Sequence, residues 1–525
     1  MDAPQSERET PEAGPGAARP SGRLLSTFNR IFSRQAVYAA LLMLLVAVLA
    51  GNLGNPAEKL RDPDIWWHLA DARILSTTHS FIQIAPNSFT VAGERWIDPE
   101  WLSEMLYWLG YRSLGLRGIY LVTLIGLCAN LLLVYWRSSL RSGHPGAAFW
   151  TAILGFGLMM VNDGPRAIII AYLAMSVEMA ILEAAERGKT YLLWLLPLVF
   201  CVWINLHGSW LIGLGLLGLY ILSGLVSFRK GIFDQEGFSR PALGRLLAVF
   251  VASLAALFVN PYGWRLIWNP IDMMFNQNLN IGSVQEWQPL DLGGLLGKLA
   301  LLAIGLTIAA NCLRGRSWKI YEMAFLLFAW FAAFDHLRFT FLASVITIPM
   351  LAQDVARSFL GEPKEETIPV LNALFVAGAL WAVVMLFPAE AVLQKGMSAE
   401  FPLESIASMQ PSWRTYNQDT LGGMMDFRSK SPFVDTRWDI FEHHGVFQDY
   451  LDIMRIKEPL KLLDKNRIDH VLVPEGWSLA YLLERTPGWQ IARREGSGDD
   501  AYILFARTPG GGSVPSSCPP TPGKP

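Results

Sequence analysis

The sequence predicts an all-α, multi-pass membrane protein carrying a small α/β domain near its C-terminus. Three observations point there. Hydrophobic residues make up 52% of the 525-residue chain and charged residues only 17%, less charge than a soluble chain of this length carries. Apolar runs near the roughly 20 residues that a bilayer crossing needs recur about eleven times. After the last run, residues 389–508 change to short alternating strands and helix-like segments.

Taken in order, residues 1–35 are a Pro-, Gly- and Glu-rich lead with basic residues at its end, expected to be disordered and cytoplasmic. Residues 36–388 form the membrane module. Its first span runs from Ala36 to Leu53, long enough to cross rather than serve as a cleaved signal, although Val48-Leu49-Ala50 has the small-residue look of a cleavage site. Further spans read at about 114–136, 146–162, 166–185, 190–207, 210–228, 244–261, 294–313, 319–335, 338–353 and 368–388. Lys and Arg place these helices. Arg23, Arg30 and Arg34 precede the first span, Arg137 and Arg141 follow the second, and Arg187 and Lys189 follow the fourth. Arg229, Lys230, Arg240 and Arg245 follow the sixth, Arg314, Arg316 and Lys319 the eighth, and Arg357 and Lys364 the tenth. All fall on one side, predicted to be cytoplasmic, so the N-terminus is inside and the C-terminal domain outside. In residues 389–508, Ser431–Thr436, His470–Val473 and Ala501–Ala506 read as strands, and Phe447–Ile456, Pro459–Asn466 and Ser478–Glu484 as helices. Residues 509–525 are a Pro- and Gly-rich tail, expected to be disordered.

Composition also excludes. The net charge is −2 and the basic residues are scattered between spans, so no nucleic-acid surface is built. Cys128, Cys201 and Cys312 lie in apolar runs and Cys518 in the tail, with neither metal-ligand nor disulfide spacing. Glycine-rich phosphate loops, HExxH and nucleophile elbows are missing, which argues against ATP-driven and common hydrolase chemistry.

The polar residues that demand explanation all fall on the outer side. The loop at 55–113 holds Asp62-Pro63-Asp64-Ile65-Trp66-Trp67-His68 and, later, Trp96-Ile97-Asp98-Pro99-Glu100-Trp101. Each Asp-Pro pair is expected to open a helix lying in the membrane interface, where tryptophan is favoured. A carboxylate there, Asp64 or Asp62, is a candidate general base, or a ligand for a divalent metal such as Mg or Mn; helix capping is the plainer role. Glu100 and Glu104 share the second helix's face. His68, and His207 in Asn205-Leu206-His207-Gly208, are costly to leave unpaired beside a membrane. Arg338, in Asp335-His336-Leu337-Arg338, and Arg166 offer guanidinium forks suited to a phosphate, with a local ion pair as the alternative. Glu286 and Trp287, in an amide- and indole-rich loop, suit a sugar's hydroxyls and faces.

These motifs, with Pro432-Phe433-Val434-Asp435-Thr436-Arg437-Trp438 in the C-terminal segment, resemble the GT-C glycosyltransferases. That superfamily includes protein O-mannosyltransferases and the bacterial sugar transferases of lipid A and lipopolysaccharide. The resemblance covers residues 36–507. It implies a bacterial inner-membrane enzyme that moves a hexosyl or pentosyl group from a polyprenyl-phosphate donor to an extracytoplasmic glycolipid, polysaccharide or protein. It also implies an acidic residue of the first outer loop, by position Asp64 or Asp62, as base or metal ligand. A transporter or flippase would instead need charged residues deep in its spans and two repeated halves; Glu178 and Glu183 are the main acidic residues there and no repeat is visible. A non-catalytic envelope assembly protein is the third class.

Overall fold

The computed structural model describes residues 32–51, 60, 62–313, 315–361, 368–498 and 501–508. Most of the expected lead, the expected tail with Cys518, and Arg23, Arg30, Arg314 and Lys364 lie outside the described residues. Helices stand at every expected span. Five of them, Leu116–Ser142, Ala167–Glu186, Leu295–Leu313, Leu337–Phe359 and Pro369–Leu386, are long and apolar enough to cross a membrane. Pro145–Met159, Leu196–Leu206, Trp210–Ser223, Arg240–Ala256 and Ile320–Asp335 are shorter, as is the apolar stretch Arg34–Leu49 of the first helix, Arg34–Gly51.

The Thr340–Phe359 helix is the centre of the bundle. It packs against Leu116–Ser142, Pro145–Met159, Leu295–Leu313 and Ile320–Asp335, and 83% of its apolar window is buried. Pro369–Leu386 lies at the edge, with 6% of its window buried. A helix apolar on every face is stable at such an edge only against lipid. Two polar clusters lie at opposite ends of the same helices. At one end Arg137 pairs with Glu183 at 2.8 Å, Arg316 with Glu322 at 2.6 Å and with Asp354 at 2.9 Å, and Arg141 with Glu322. Arg166 and Arg338 precede the other ends of the Ala167–Glu186 and Thr340–Phe359 helices. Arg137, Arg141 and Arg316, three of the residues read as one-sided from the sequence, therefore meet at one end of the bundle.

The C-terminal domain has a four-stranded sheet in the order β3-β4-β6-β5, with β3 Thr415–Asn417, β4 His470–Pro474, β5 Trp489–Glu495 and β6 Tyr502–Arg507. β3 and β4 are parallel and the other pairs antiparallel. A separate hairpin, β1 Phe228–Lys230 with β2 Phe233–Gln235, sits on the basic side. Ser431–Thr436, expected as a strand, makes only one bridge, Pro432 to Thr415. Proline has no N–H for a ladder, and side chains satisfy the segment instead. Ser88 and Thr90 donate to Phe433 O, at 3.3 and 2.7 Å, and Asn417 Nδ2 donates to Val434 O at 2.8 Å.

Those contacts are part of a seam between the C-terminal domain and the first outer loop. The helix Asp64–Thr78 lies under Asp419–Phe427. Gly423 permits the approach, since a Cβ there would meet Pro63 O at 2.5 Å. Residues Ile65–Ala72 are buried all around this helix, so it is sandwiched between the bundle and the domain rather than lying open in the interface as its tryptophans suggest. Arg437 crosses the seam. Its guanidinium reaches Asp71 at 3.0 Å and Asp426 at 2.6 Å, pairs also with Asp435, and stands over the rings of Trp67 and Trp96 at 5.4 and 5.1 Å. All three carboxylates are fully buried. Replacing Arg437 by Met strands them together, so the change is expected to cost about 3–5 kcal/mol. Chemical denaturation of purified protein measures this, and protease sensitivity reports whether the C-terminal domain has come loose; unchanged stability and protection would show that the seam does not rest on Arg437.

Candidate functional site

The two Asp-Pro motifs build the same local device. Asp62 Oδ1 accepts from Asp64 N–H at 3.1 Å, and Asp98 Oδ1 accepts from Glu100 N–H at 2.9 Å. Proline sets the φ of the residue between, and the aspartate closes an Asx turn on the residue two places on. Helices follow at Asp64–Thr78 and Trp101–Leu114. In each motif the aspartate is consumed by the turn, while the second acidic residue, Asp64 or Glu100, is presented at the helix start.

Asp62 is further engaged by Arg166, which also pairs with Glu286. Gly164 makes room for this, because a Cβ there would lie 2.8 Å from Asp62 Oδ2. Arg166 thus joins the first outer loop, the turn at 163–166 and the loop at 284–290. Burial raises the Asp62 carboxyl, with Arg166 the largest opposing influence. The guanidinium is stabilised further by the charges of Asp64 and Glu100. Arg166, expected as a phosphate clamp, already holds two carboxylates.

Asp64 differs. It is half-buried, and its carboxylate has one hydrogen-bond partner among the described residues, the Thr436 hydroxyl of the C-terminal domain. Its charge is felt by Asp62, His68, Glu100 and Arg166, which places it at the middle of the polar cluster.

Beside it lies a buried histidine–carboxyl chain. His207 Nε2 is 3.3 Å from Glu100 Oε1, His68 Nε2 is 3.5 Å from Glu100 Oε2, and His68 Nδ1 is 2.8 Å from Glu104 Oε1. Ser209 N–H donates to His207 Nδ1 at 2.9 Å, so the proton of the neutral ring sits on Nε2, facing Glu100. Burial pushes both His68 and His207 down to about 3, keeping them neutral. Burial, with Asp64 and Asp98 adding, pushes Glu100 up to about 8. Glu104 is raised too, by burial first and then by Asp98 and Asp71. The Asn205-Leu206-His207 motif is docked by its neighbours: Trp101 Nε1 donates to Asn205 Oδ1 at 2.8 Å and Ser103 Oγ donates to Leu206 O at 2.9 Å.

Arg338 stands over the Trp287 ring at 4.4 Å, and Glu100 feels its charge. His336 Nδ1 lies 2.6 Å from Trp287 O, and Leu337 N–H donates to Gln288 O at 2.9 Å. The loop carrying Glu286 and Trp287 is thereby strapped to the turn at 335–339. The same stretch, read as an irregular loop from the sequence, includes the helices Trp264–Asn276 and Asn278–Ser283.

Asp64, Asp62, Arg166, Glu286, Glu100, His68, His207, Arg338 and Trp287 thus form one connected region at one end of the bundle. Thr436 and Asp71 were not foreseen as parts of it. No local signal marks either, since their partners are hundreds of positions away in sequence or on a helix face that only burial defines. For a divalent metal at Asp62 and Asp64 the donor set fits poorly. Asp62 Oδ1 is used by the Asp64 N–H and Oδ2 by Arg166, and one Asp64 oxygen is used by Thr436. Among the described residues no group of three or more His, Cys, Asp or Glu is assembled to hold a metal.

No protein-family model matches the chain, and no curated protein matches it in sequence. Solved structures do match. The Archaeoglobus fulgidus oligosaccharyltransferase in its apo form is 11% identical and superposes with a TM-score of 0.54, covering 84% of this chain and 69% of that one. The oligosaccharyltransferase AglB from Archaeoglobus fulgidus, in complex with an inhibitory peptide and a dolichol-phosphate, gives a TM-score of 0.51 at 11% identity over the same shares. ArnT from Cupriavidus metallidurans, bound to undecaprenyl phosphate, gives 0.50 at 14% identity, covering 94% of this chain and 100% of that chain. The chain therefore shares the fold of these structures, in agreement with the fold that the GT-C resemblance of its motifs implies.

The buried carboxyls give the fold a pH dependence of defined sign. Glu100 titrates near 8 in the fold and at about 4.3 in an unfolded chain. Its contribution to stability is fully present below the unfolded value and is lost as pH rises through about 8. Asp71, pushed up to about 7 by burial, adds an earlier part of the same loss. Melting temperatures measured from pH 6 to 9 are expected to fall with rising pH up to about 8 and then level off, and Glu100→Gln should make the fall shallower throughout and abolish most of it above about pH 7, where Asp71 no longer contributes. An unchanged profile in that variant would show that Glu100 is ionised throughout.

Proposed function

We propose that this protein is a membrane glycosyltransferase that moves a sugar from a polyprenyl-phosphate donor to a hydroxyl or amine on an extracytoplasmic glycolipid, polysaccharide or protein. The observation that carries this reading is the state of Asp64. On a GT-C scaffold it is the one member of the first-loop acidic pair that, among the described residues, neither closes a turn nor is locked to a guanidinium. The likeness to solved structures crystallised with dolichol-phosphate and with undecaprenyl phosphate supports the donor class. The meeting of Arg137, Arg141 and Arg316 at the far end of the bundle supports an orientation with the N-terminus in the cytoplasm and the C-terminal domain outside.

In this mechanism Asp64 accepts the proton of the acceptor's hydroxyl or amine as that atom attacks the anomeric carbon. The carbon's bond to the phosphate oxygen breaks, and polyprenyl phosphate leaves with the bonding electrons. Arg338, held against Trp287 beside Glu100, receives the charge that grows on the leaving phosphate. Arg166 contributes to the same field while keeping Asp62 in place. The neutral His207 donates from Nε2, and Glu100, His68 and Trp287 line the sugar's side of the site. Asp62 is assigned to the architecture and Asp64 to the chemistry. No step is routed through a metal, because three of the four carboxylate oxygens of Asp62 and Asp64 are already engaged.

The test is transfer of labelled sugar from polyprenyl-phosphate donors into envelope acceptors, with released lipid phosphate measured alongside. Asp64→Asn is expected to lower the rate by about 10²–10⁴-fold with donor binding intact. Arg338→Gln should weaken donor binding and rate together. Full activity in Asp64→Asn at normal expression removes this residue from the mechanism. Substrate flux across vesicles without released lipid phosphate would identify a transporter instead.

A further inference from the structure

The reaction centre is not built by the membrane module alone. Asp64, Trp67 and Asp71 recur at helical spacing, so they share one face of the Asp64–Thr78 helix, and that face meets the C-terminal domain. Residues 435–437 meet all three. Arg437 pairs with Asp71, and the Thr436 hydroxyl lies between Trp67 and Asp64. Trp67 Nε1 donates to Thr436 Oγ1 at 3.0 Å. An indole nitrogen can only donate, so it occupies an acceptor position of the hydroxyl and leaves the hydroxyl's single proton for Asp64 Oδ1. The relay therefore has one direction: indole N–H to hydroxyl, and hydroxyl to carboxylate.

We propose that Thr436, delivered by the C-terminal domain, is a positioning residue for Asp64. By holding Oδ1 it fixes the rotation of the carboxylate and turns Oδ2 toward the acceptor. This inference rests on Asp64 being the base. It assigns the C-terminal domain a part in the reaction itself, beyond covering the site.

The segment does not depend on the hydroxyl for its place. Arg437 is held by Asp71, Asp426 and Asp435. Phe433 N–H donates to Asn417 Oδ1 at 2.8 Å, and Val434 O accepts from Asn417 Nδ2 at 2.8 Å. Thr436→Val keeps the branched shape and removes only the relay, and Thr436→Ser keeps the relay.

The experiment measures kcat and donor KM for wild type, Thr436→Val, Thr436→Ser and Asp64→Asn, with melting temperature recorded for each full-length protein. A hydrogen bond to a charged group corresponds to about a ten- to hundredfold effect on rate. Thr436→Val is expected to lose that factor in kcat, with donor KM and melting temperature close to wild type, and Thr436→Ser is expected to recover most of it. Wild-type kcat in Thr436→Val, alongside an inactive Asp64→Asn, overturns the positioning role and leaves the transferase reading standing. A loss in both Thr436 variants that tracks a lowered melting temperature makes Thr436 structural and also overturns the proposal. Full transfer by Asp64→Asn, or none by the folded wild type from any verified donor, overturns the transferase reading and this inference with it.

Discussion

The burial of Arg437 among Asp71, Asp426 and Asp435 is the constraint on which the rest of this structure depends. One guanidinium faces three carboxylates in a fully buried place. The arrangement is tolerable only because the fork is planar and multivalent and because Trp67 and Trp96 present their rings to it. Burial raises the Asp71 and Asp426 carboxyls and relieves part of the excess negative charge. Such a cluster need not add net stability compared with an apolar one. Its consequence is geometric: Asp71 belongs to the first outer loop and the other members to the C-terminal domain, so satisfying Arg437 sets the register between the two units. Asp64 and Thr436 stand in line with that register.

Charge is allotted unevenly across the site, and the allotment separates structural from chemical roles. Four acidic residues, Asp62, Asp64, Glu100 and Glu286, surround Arg166 within direct contact or its field. Two of these form direct ion pairs with it, and they tie together three parts of the chain that are distant in sequence. Glu100 faces two neutral histidines and is itself pushed toward the neutral form. Among the described residues Asp64 has a single neutral donor, the Thr436 hydroxyl. A base needs an accessible lone pair and a carboxylate not already neutralised by an ion pair, and Asp64 is the member of the group that meets both conditions among the described contacts.

Much of this was legible in the sequence because membranes restrict what a chain can do. Apolar runs forced helices at the expected spans, and the one-sided placement of Arg137, Arg141 and Arg316 anticipated their convergence with Glu183, Glu322 and Asp354. The Asp-Pro turns at Asp62 and Asp98 were readable too, since proline and an Asx side chain act within a few residues. What could not be read is long-range. The tryptophans at Trp66 and Trp67 suggested an open interfacial helix, but an indole looks the same in sequence whether its neighbour is lipid or protein, and both are buried. Ser431–Thr436 had the composition of a strand, and only the side chains of Ser88, Thr90 and Asn417 show why it is not one. The different surroundings of Asp62 and Asp64 come from Arg166 and Thr436, which lie more than a hundred and more than three hundred positions away.

The position of Asp64 at a seam follows from what its two sides must bury. The Asp64–Thr78 helix is buried all around over Ile65–Ala72, so neither the bundle nor the C-terminal domain alone removes it from water; both are needed. The carboxylate at the start of that helix sits where the two covers meet and stays half-exposed, while Ile65–Ala72 behind it are buried. One side of the seam is continuous with the lipid-facing bundle and the other with a soluble domain. In the proposed reaction, the bundle side of the seam is the approach for a lipid-linked donor and the domain side the approach for the acceptor.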